Sequence, residues 1–295
     1  MTYRFGIQLT PETDQLGTVR RLARLADDER LDLLGVQDHP YAAAQVDTFA
    51  LMAAVLADTR YIRVFPDVAS LPLRAPAVMA KAAATLDLLS DGRFELGLGA
   101  GGYARPIVAM GGASLTGAEA LRALREGIAI IRAMWRPGER VHVDGEFHRA
   151  DGVRSGPAPA HDIGIWIGSV GPRAQELTGR LADGWAAPIP HYLPYEQWPA
   201  SQQRITAAAT DAGRDPSAVI RMAQLVGDIT DGPAAVRLEG EEPIRTDAPG
   251  WARILAGLAT ETGFDTFVYW PENADETQVL RWAREVVPAA RELLG

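Results

Sequence analysis

The 295-residue sequence contains no cysteine. This absence excludes disulfide bonds, thiolate nucleophiles and cysteine-ligated metal sites together. The five histidines form no pair at a spacing typical of metal ligands, so we expect no metal site.

Long apolar segments are absent as well. The N-terminal residues MTYRFGIQLTPE have no basic segment followed by an apolar one, and no stretch has the length of a membrane span. The net charge of −9 includes no long run of one sign, which argues against a surface for the phosphates of nucleic acids. We therefore expect a cytoplasmic protein that acts on a small molecule and binds neither nucleic acid nor membrane.

Strand-like and helix-like segments alternate along the whole chain, with no change of composition that would mark a second domain. Strands are predicted at residues 4–9, 33–37, 62–68, 94–98, 163–167, 184–187, 220–229 and 266–270. Helices are predicted at residues 14–29, 48–57, 76–89, 117–135, 172–181, 195–212, 251–262 and 278–294. Eight strands with helices between most of them predict one α/β domain over residues 1–295, a (β/α)8 TIM-type barrel.

Two segments stand apart from this alternation. Residues 141–148 predict a surface hairpin with its turn at Asp144-Gly145, and residues 231–249 predict a loop without strands. The alternative fold is an open, doubly wound sheet that binds a dinucleotide. It is disfavoured because the glycine run at residues 97–102 does not open the chain, and no strand-terminal Asp or Glu follows about 20 residues later.

Active sites of such barrels lie at the carboxyl ends of the strands, so the residues after each strand are the candidates. His39 follows the second strand and is suited to acid–base chemistry. Its alternative role is a hydrogen-bonded cap formed with Asp38. Tyr103 follows the glycine run, where a phenol can donate a proton or simply contact a lid.

The loop after the fifth strand opens a helix. Its residues are Gly168, Ser169, Val170, Gly171, Pro172 and Arg173. Backbone N–H groups at a helix N-terminus, together with an arginine, predict a site for a cofactor phosphate. A plain helix start capped by a serine, with proline in the first turn, accounts for the same residues.

Three long segments resemble the luciferase-like monooxygenase superfamily and its deazaflavin-dependent branch in particular. They are PAVMAKAAATLDLLSDG (residues 76–92), RFELGLGAGG (93–102) and IGSVGPRAQELTGRLADGW (167–185). Shorter matches are RFGIQLTP (4–11), VQDHP (36–40) and DTFVYWPE (265–272), so the resemblance extends over essentially the whole chain. It implies a (β/α)8 barrel with insertion loops.

The resemblance also implies where a cofactor binds. Its ring would lie across the barrel mouth, with the phosphate tail at residues 168–173. A non-prolyl cis peptide at or near Asp67-Val68 would support the ring, and the backbone of Gly99, Ala100 and Gly101 would lie beside it. Asp38 and His39 match an Asp-His pair that deazaflavin enzymes carry close to the reactive carbon of the ring.

Two departures from the family pattern limit the function. Deazaflavin-dependent sugar-phosphate dehydrogenases carry Glu and Trp where this chain has Gly102 and Ala43, so oxidation of a sugar phosphate is not expected. Flavin monooxygenases of the superfamily more often carry Glu-His-His where this chain has Asp38-His39-Pro40, which favours the deazaflavin branch.

The resemblance therefore implies a coenzyme F420-dependent oxidoreductase that moves a hydride between the deazaflavin and a small organic substrate. His39 and Tyr103 are its candidate catalytic residues. The alternatives are a monooxygenase that uses reduced FMN and a barrel that binds a ligand without catalysis. Members of the superfamily often pair, so a homodimer is a further expectation.

Overall fold

Apolar strands that are buried on both faces belong to parallel sheets covered by helices. A computed structural model describes residues 2–295. The strands are β1 (Arg4–Leu9), β2 (Leu33–Val36), β3 (Arg63–Pro66), β4 (Ala69–Ser70), β5 (Leu96–Gly99), β6 (Arg140–Asp144), β7 (Arg149–Arg154), β8 (Ile165–Ile167), β9 (Gly184–Ala187), β10 (Ile220–Ile229), β11 (Ile244–Thr246) and β12 (Thr266–Pro271). The α-helices are α1 (Leu16–Asp28), α2 (Thr48–Asp58), α3 (Pro76–Leu89), α4 (Ala104–Ala109), α5 (Gly117–Met134), α6 (Pro172–Leu181), α7 (Trp198–Asp211), α8 (Ala248–Thr262), α9 (Glu276–Arg281) and α10 (Val287–Leu294).

The main sheet forms a nearly closed barrel. Its strands follow the order β3-β2-β1-β12-β10-β9-β8-β5-β4, and every neighbouring pair is parallel. A parallel bridge between Val64 and Phe94 joins the two ends of this path. Since β3 and β4 are two parts of one interrupted strand, the prediction of a TIM-type barrel is confirmed, and the open doubly wound sheet is excluded.

The inside of the barrel is filled by apolar side chains. They are Leu33, Phe65, Trp166, Ala186, Met222 and Val268. Burying a large apolar side chain stabilises a fold by roughly 1.5–3 kcal/mol. The barrel is thus a packed core and not a channel, so ligands bind at its ends.

Two strands differ from the prediction. The third predicted strand, residues 62–68, is shorter in the structure: β3 ends at Pro66, and β4 lies beyond the predicted end. A cis peptide bond joins Asp67 and Val68, as the resemblance implies. Residues 231–249 were predicted to lack strands, but they contain β11, which pairs in parallel with β10. Gly227 permits this pairing, since a Cβ atom there would lie 1.9 Å from the backbone oxygen of Ile244.

The hairpin is an antiparallel insertion outside the barrel, as predicted, but its turn is longer than Asp144-Gly145. Residues 145–148 connect β6 and β7. The carboxylate of Glu126 accepts hydrogen bonds from the backbone N–H groups of all three residues after Gly145, at 3.0, 2.9 and 2.9 Å. Hydrogen bonds to Glu126 on α5, about 20 residues earlier in the chain, therefore hold this longer turn.

Two helices also differ from the prediction. The short helix α4 was not predicted, because it lies directly after the glycine run. The predicted last helix is interrupted at Trp282–Val286 by a wide, π-type turn. Pro288 follows this turn and has no N–H group to continue the regular hydrogen-bond pattern. Among residues 2–295, no helix has the length and apolar character that crossing a membrane requires.

Candidate active site

A cavity of about 800 Å³ lies at the carboxyl ends of the barrel strands. Nearly all of the residues predicted for the site line its wall: Asp38, His39, Asp67, Val68, Gly99, Ala100, Gly101, Tyr103, Gly168, Val170, Gly171, Pro172 and Arg173. Segments far apart in sequence thus meet because parallel strands all end at the same face of the barrel.

Ser169 is the one predicted residue that the structure does not place on the cavity wall. It is buried, and its hydroxyl is hydrogen-bonded to the hydroxyl of Thr178 at 3.0 Å. Its carbonyl oxygen accepts a hydrogen bond from the indole N–H of Trp185 at 3.1 Å. Both polar groups of Ser169 that could face a ligand are therefore directed into the packing between α6 and β9.

Asp38 lies at the cavity but uses its carboxylate to hold loops together. It accepts a hydrogen bond from the backbone N–H of Ser70 at 2.9 Å and pairs with the guanidinium of Arg74 at 3.0 Å. Arg74 also bonds Asp47, which caps α2 by accepting from the N–H of Ala50. Asp38 thus bonds Ser70 and Arg74 and not His39, so the two residues do not form the predicted cap together, and the charge of Asp38 is already balanced by Arg74.

His39 faces the cavity beside a phenol. Its Nδ1 atom lies 2.8 Å from the hydroxyl oxygen of Tyr41. Burial lowers the pKa of His39, against a smaller opposing effect of Asp38, and burial raises the pKa of Tyr41 to about 12. At neutral pH the imidazole is therefore uncharged and the phenol is protonated, which suits a hydrogen bond from the Tyr41 hydroxyl to Nδ1 and leaves the proton of His39 on Nε2.

Asp67 forms a buried carboxyl group in the cavity wall. Its Oδ1 atom accepts a hydrogen bond from the amide nitrogen of Gln224 at 2.9 Å. In the amide orientation that satisfies its neighbours, Gln8 donates to the other carboxyl oxygen at 3.1 Å. Burial raises the pKa of Asp67 to about 7, and the Gln224 bond offsets only part of this effect. The carboxyl group is thus able to change protonation state near neutral pH.

Val68 forms a half-buried apolar surface next to Asp67. Three strand-end glycines face its side chain: Gly97, Gly99 and Gly168. A Cβ atom at Gly99 or Gly168 would lie 2.9 or 3.0 Å from a Val68 methyl group. Side chains at these positions would displace Val68, so the glycines keep this part of the wall in place.

The loop before α6 presents open backbone to the cavity. Gly171 is the N-cap of α6 and Pro172 occupies its first turn. A Cβ atom at Gly171 would contact no atom within 4 Å, so the space beside it is free for a ligand. Arg173 is exposed, and the ion pairs found among residues 2–295 do not include it. The arrangement suits an anionic group.

Tyr103 belongs to a group of aromatic rings. Its ring centroid lies 5.8 Å from those of both His39 and Tyr41 and 6.4 Å from that of Tyr192. The hydroxyl groups of Tyr103 and Tyr192 are hydrogen-bonded to each other. Within residues 2–295, no cluster of three or more His, Asp or Glu side chains is arranged to hold a metal ion.

Four residues of this site were not identified from the sequence: Gln8, Tyr41, Tyr192 and Gln224. The two glutamines interrupt otherwise apolar strands, and that interruption is a signal of a polar position inside a barrel. The two tyrosines lie in irregular loops: Tyr41 is in the same loop as His39, whereas only the folded barrel brings Tyr192 to Tyr103.

Two known proteins that are similar in sequence to this chain are named as enzymes. The chain is 30% identical over 215 residues to a 5,10-methylenetetrahydromethanopterin reductase of Methanolobus tindarius, with 73% of this chain and 62% of the relative aligned. It is 32% identical over 188 residues to an F420-dependent glucose-6-phosphate dehydrogenase of Nakamurella multipartita, with 62% of this chain and 55% of the relative aligned. The chain thus spans about three fifths of the length of these relatives.

Solved structures show the same fold. An F420-dependent secondary alcohol dehydrogenase, determined in complex with an F420-acetone adduct, superposes with a TM-score of 0.85 at 19% identity. The superposition covers 99% of this chain and 100% of that one. The family model described as luciferase-like monooxygenase matches residues 1–270. Together with the barrel and its carboxyl-end cavity, this match shows that the chain belongs to the luciferase-like monooxygenase family.

Proposed function

We propose that this chain is a coenzyme F420-dependent oxidoreductase that transfers a hydride between the deazaflavin and a small organic substrate. We further propose that residues 1–295 act as one domain and that the protein works in the cytoplasm. The observation that carries the proposal is an uncharged His39 in a cavity that also offers a flat apolar surface and an anion site. The name of one sequence relative, an F420-dependent dehydrogenase, supports the same cofactor.

The residues present fit such a cofactor. Val68 provides an apolar surface for a planar ring, and the glycines opposite it leave that surface unobstructed. The free backbone at Gly171 and the unpaired charge of Arg173 suit a phosphate on the tail of the cofactor. Gly99, Ala100 and Gly101 would lie beside the ring, whereas Ser169 would act only by holding the loop.

The residues of this chain would position the substrate and donate a proton to it. Reduction of a carbonyl carbon requires one hydride and one proton, and a bound deazaflavin supplies the hydride chemistry. His39, with its proton on Nε2, is placed to donate a hydrogen bond or a proton to the substrate oxygen, and solvent can restore that proton afterwards. Tyr103 would hold the substrate at the mouth of the cavity.

Replacing His39 by alanine tests this assignment. We expect the His39→Ala protein to bind F420 within about twofold of the wild-type affinity, while its kcat for carbonyl or enone reduction falls about 100-fold. Stopped-flow measurement of F420 oxidation and cofactor titration provide the two numbers. The matched control is His142→Ala, because His142 is an exposed histidine of the hairpin. Equal turnover in both variants would remove His39 from the mechanism.

A monooxygenase that uses reduced FMN is the second candidate, because the matching family is described by that activity. The same cavity would then hold the flavin ring at Val68 and its phosphate at residues 168–173. Incorporation of an oxygen atom from isotopically labelled O2 into the product, in the presence of reduced FMN and candidate substrates, separates this reaction from hydride transfer, which needs no oxygen.

We also propose that the protein forms a homodimer. Exposed apolar side chains on one helix support this: Val78, Leu88 and Leu89 lie on α3 with 68%, 44% and 77% of their surface accessible. Apolar surface of this kind often marks a protein–protein contact. Light scattering after size-exclusion chromatography measures the mass directly, and a mass of one chain at micromolar concentration would contradict the proposal.

A further inference from the structure

Three tyrosines from separate loops meet at the mouth of the cavity. Tyr41 follows β2, Tyr103 follows β5 and Tyr192 follows β9. The Tyr41 and Tyr103 rings are tilted at 60°, and the Tyr103 and Tyr192 rings are nearly perpendicular at 79°. We call these three residues the tyrosine cluster. Its rings leave both faces and edges available at the entrance to the site.

The cluster presents much of its aromatic surface. Tyr103 and Tyr192 are 41% and 42% exposed although both line the cavity. Aromatic side chains that are neither buried nor isolated commonly bind other rings in edge-to-face or offset-stacked arrangements. Exposed aromatic surface at a cavity entrance is therefore suited to a planar ligand.

Few charged residues line the cavity, and His191, whose ring centroid lies 5.0 Å from that of Tyr192, is paired with Glu241 and is not among them. The charged residues that line the cavity are Asp38, Asp67 and Arg173. Asp38 is paired with Arg74, Asp67 lies in the buried wall against Gln224, and Arg173 belongs to the loop before α6. The polar groups of the cavity wall next to the rings are the phenol hydroxyls, which are bonded to His39 or to each other, and the imidazole of His39. Nε2 of His39 is the donor among them that suits a neutral oxygen acceptor.

From this arrangement we propose that the tyrosine cluster is the substrate subsite and that it binds an uncharged, flat, conjugated ring compound with a carbonyl oxygen directed at His39. The reaction of this ligand depends on the proposed function, whereas its binding to the tyrosine cluster does not. The ring of the ligand packs against Tyr103 and Tyr192, and the carbonyl accepts a hydrogen bond from Nε2 of His39, whose Nδ1 is bonded to Tyr41. A sugar phosphate finds no cation in this subsite.

Coumarin is a suitable probe because it is flat, uncharged and carries a conjugated carbonyl. Its dissociation constant is measured on the full chain by ligand-observed NMR, once without cofactor and once with F420. We expect Tyr103→Leu and Tyr192→Leu each to weaken coumarin binding about tenfold, and Tyr103→Phe and Tyr192→Phe to retain it within about threefold. The matched control is Tyr61→Leu, because Tyr61 is an exposed tyrosine outside the cavity.

The outcomes separate this inference from the proposed function. Coumarin binding that depends on the two rings supports the subsite whether or not F420 binds, and loss of F420 binding alone would overturn only the proposed function. Equal coumarin affinity in the wild type and both leucine variants overturns the subsite. So does binding of glucose 6-phosphate more tightly than coumarin. Thermal melting curves identify any variant that is unfolded. In that case magnetisation transfer from the tyrosine ring protons of the folded wild type to coumarin decides the question, and its absence overturns the subsite.

Discussion

At the residue scale, the buried carboxyl group of Asp67 links the cavity to the stability of the barrel. The group is enclosed by Gln8 and Gln224 and receives amide hydrogen bonds from both. Burial raises its pKa to about 7 in the folded state, whereas an unfolded chain has an ordinary aspartate. The folded state therefore binds more protons than the unfolded state between about pH 4 and pH 7.

The sign of this linkage gives a prediction for Asp67→Asn. Wild-type stability should fall as the pH rises through this window, because ionisation of Asp67 is unfavourable only in the folded protein. The asparagine variant lacks this loss, so the difference in unfolding free energy between variant and wild type should grow by roughly 1–4 kcal/mol from pH 4.5 to pH 8. Urea unfolding at both pH values measures it. The exposed Asp28→Asn variant is the control, and a difference independent of pH would contradict the account.

Tyr41 gives a second prediction at the residue scale. Its hydroxyl bonds Nδ1 of His39, so the Tyr41→Phe variant loses the group that keeps the proton of His39 on Nε2. We expect kcat to fall about tenfold with unchanged F420 affinity, because Tyr41 acts through His39. Nitrogen-15 NMR of the histidine ring should report one tautomer in the wild type and a mixture in the variant. An unaltered tautomer spectrum would show that Tyr41 does not position His39.

At the scale of elements, the helix α6 and the loop before it form the proposed anion site. The loop combines open backbone at Gly171 with the exposed side chain of Arg173. A buried contact holds the loop in place, since the hydroxyl of Ser169 is hydrogen-bonded to the hydroxyl of Thr178 within α6. In this short segment Ser169 therefore packs against the helix, whereas Gly171 and Arg173 are the residues available to a ligand.

This division predicts the effect of Arg173→Ala. We expect F420 binding to weaken about tenfold and to lose part of its dependence on salt concentration, because one charge at the phosphate is removed. Arg180→Ala is the matched control, since Arg180 is an exposed arginine at the opposite end of the same helix. Fluorescence titration at low and high salt measures both effects, and identical behaviour of the two variants would place the phosphate elsewhere.

Most elements were predictable from the sequence because apolar periodicity determines them locally. The strands of the barrel and helices such as α2, with its Asp47 cap, follow directly from that periodicity. The strand β11 was missed because it has three residues and exists only through pairing with β10 at Gly227. The predicted turn of the hairpin was too short because its conformation also depends on a tertiary contact, the hydrogen bonds to Glu126 on α5.

At the scale of the whole molecule, the candidate site was predictable only in part. Strand ends and glycine loops led to His39, Tyr103 and the loop before α6, because every βα unit of a barrel ends at one face. Tyr192 and Gln224 were missed, since closure of the barrel brings them to the cavity from distant positions. Tyr41 lies two residues after His39 and was missed because no sequence pattern marks its contact with the imidazole. The residues of the proposed substrate subsite thus depend on tertiary structure more than those proposed to bind the cofactor.

The central claim is that the barrel binds a deazaflavin in preference to a flavin. Titration of the purified protein with oxidised F420 and, separately, with FMN, followed by the fluorescence of each cofactor, tests it most directly. We predict a dissociation constant in the micromolar range or below for F420 and binding at least about tenfold weaker for FMN. Tighter binding of FMN would contradict the account and assign the protein to the oxygen-using flavin enzymes of its family.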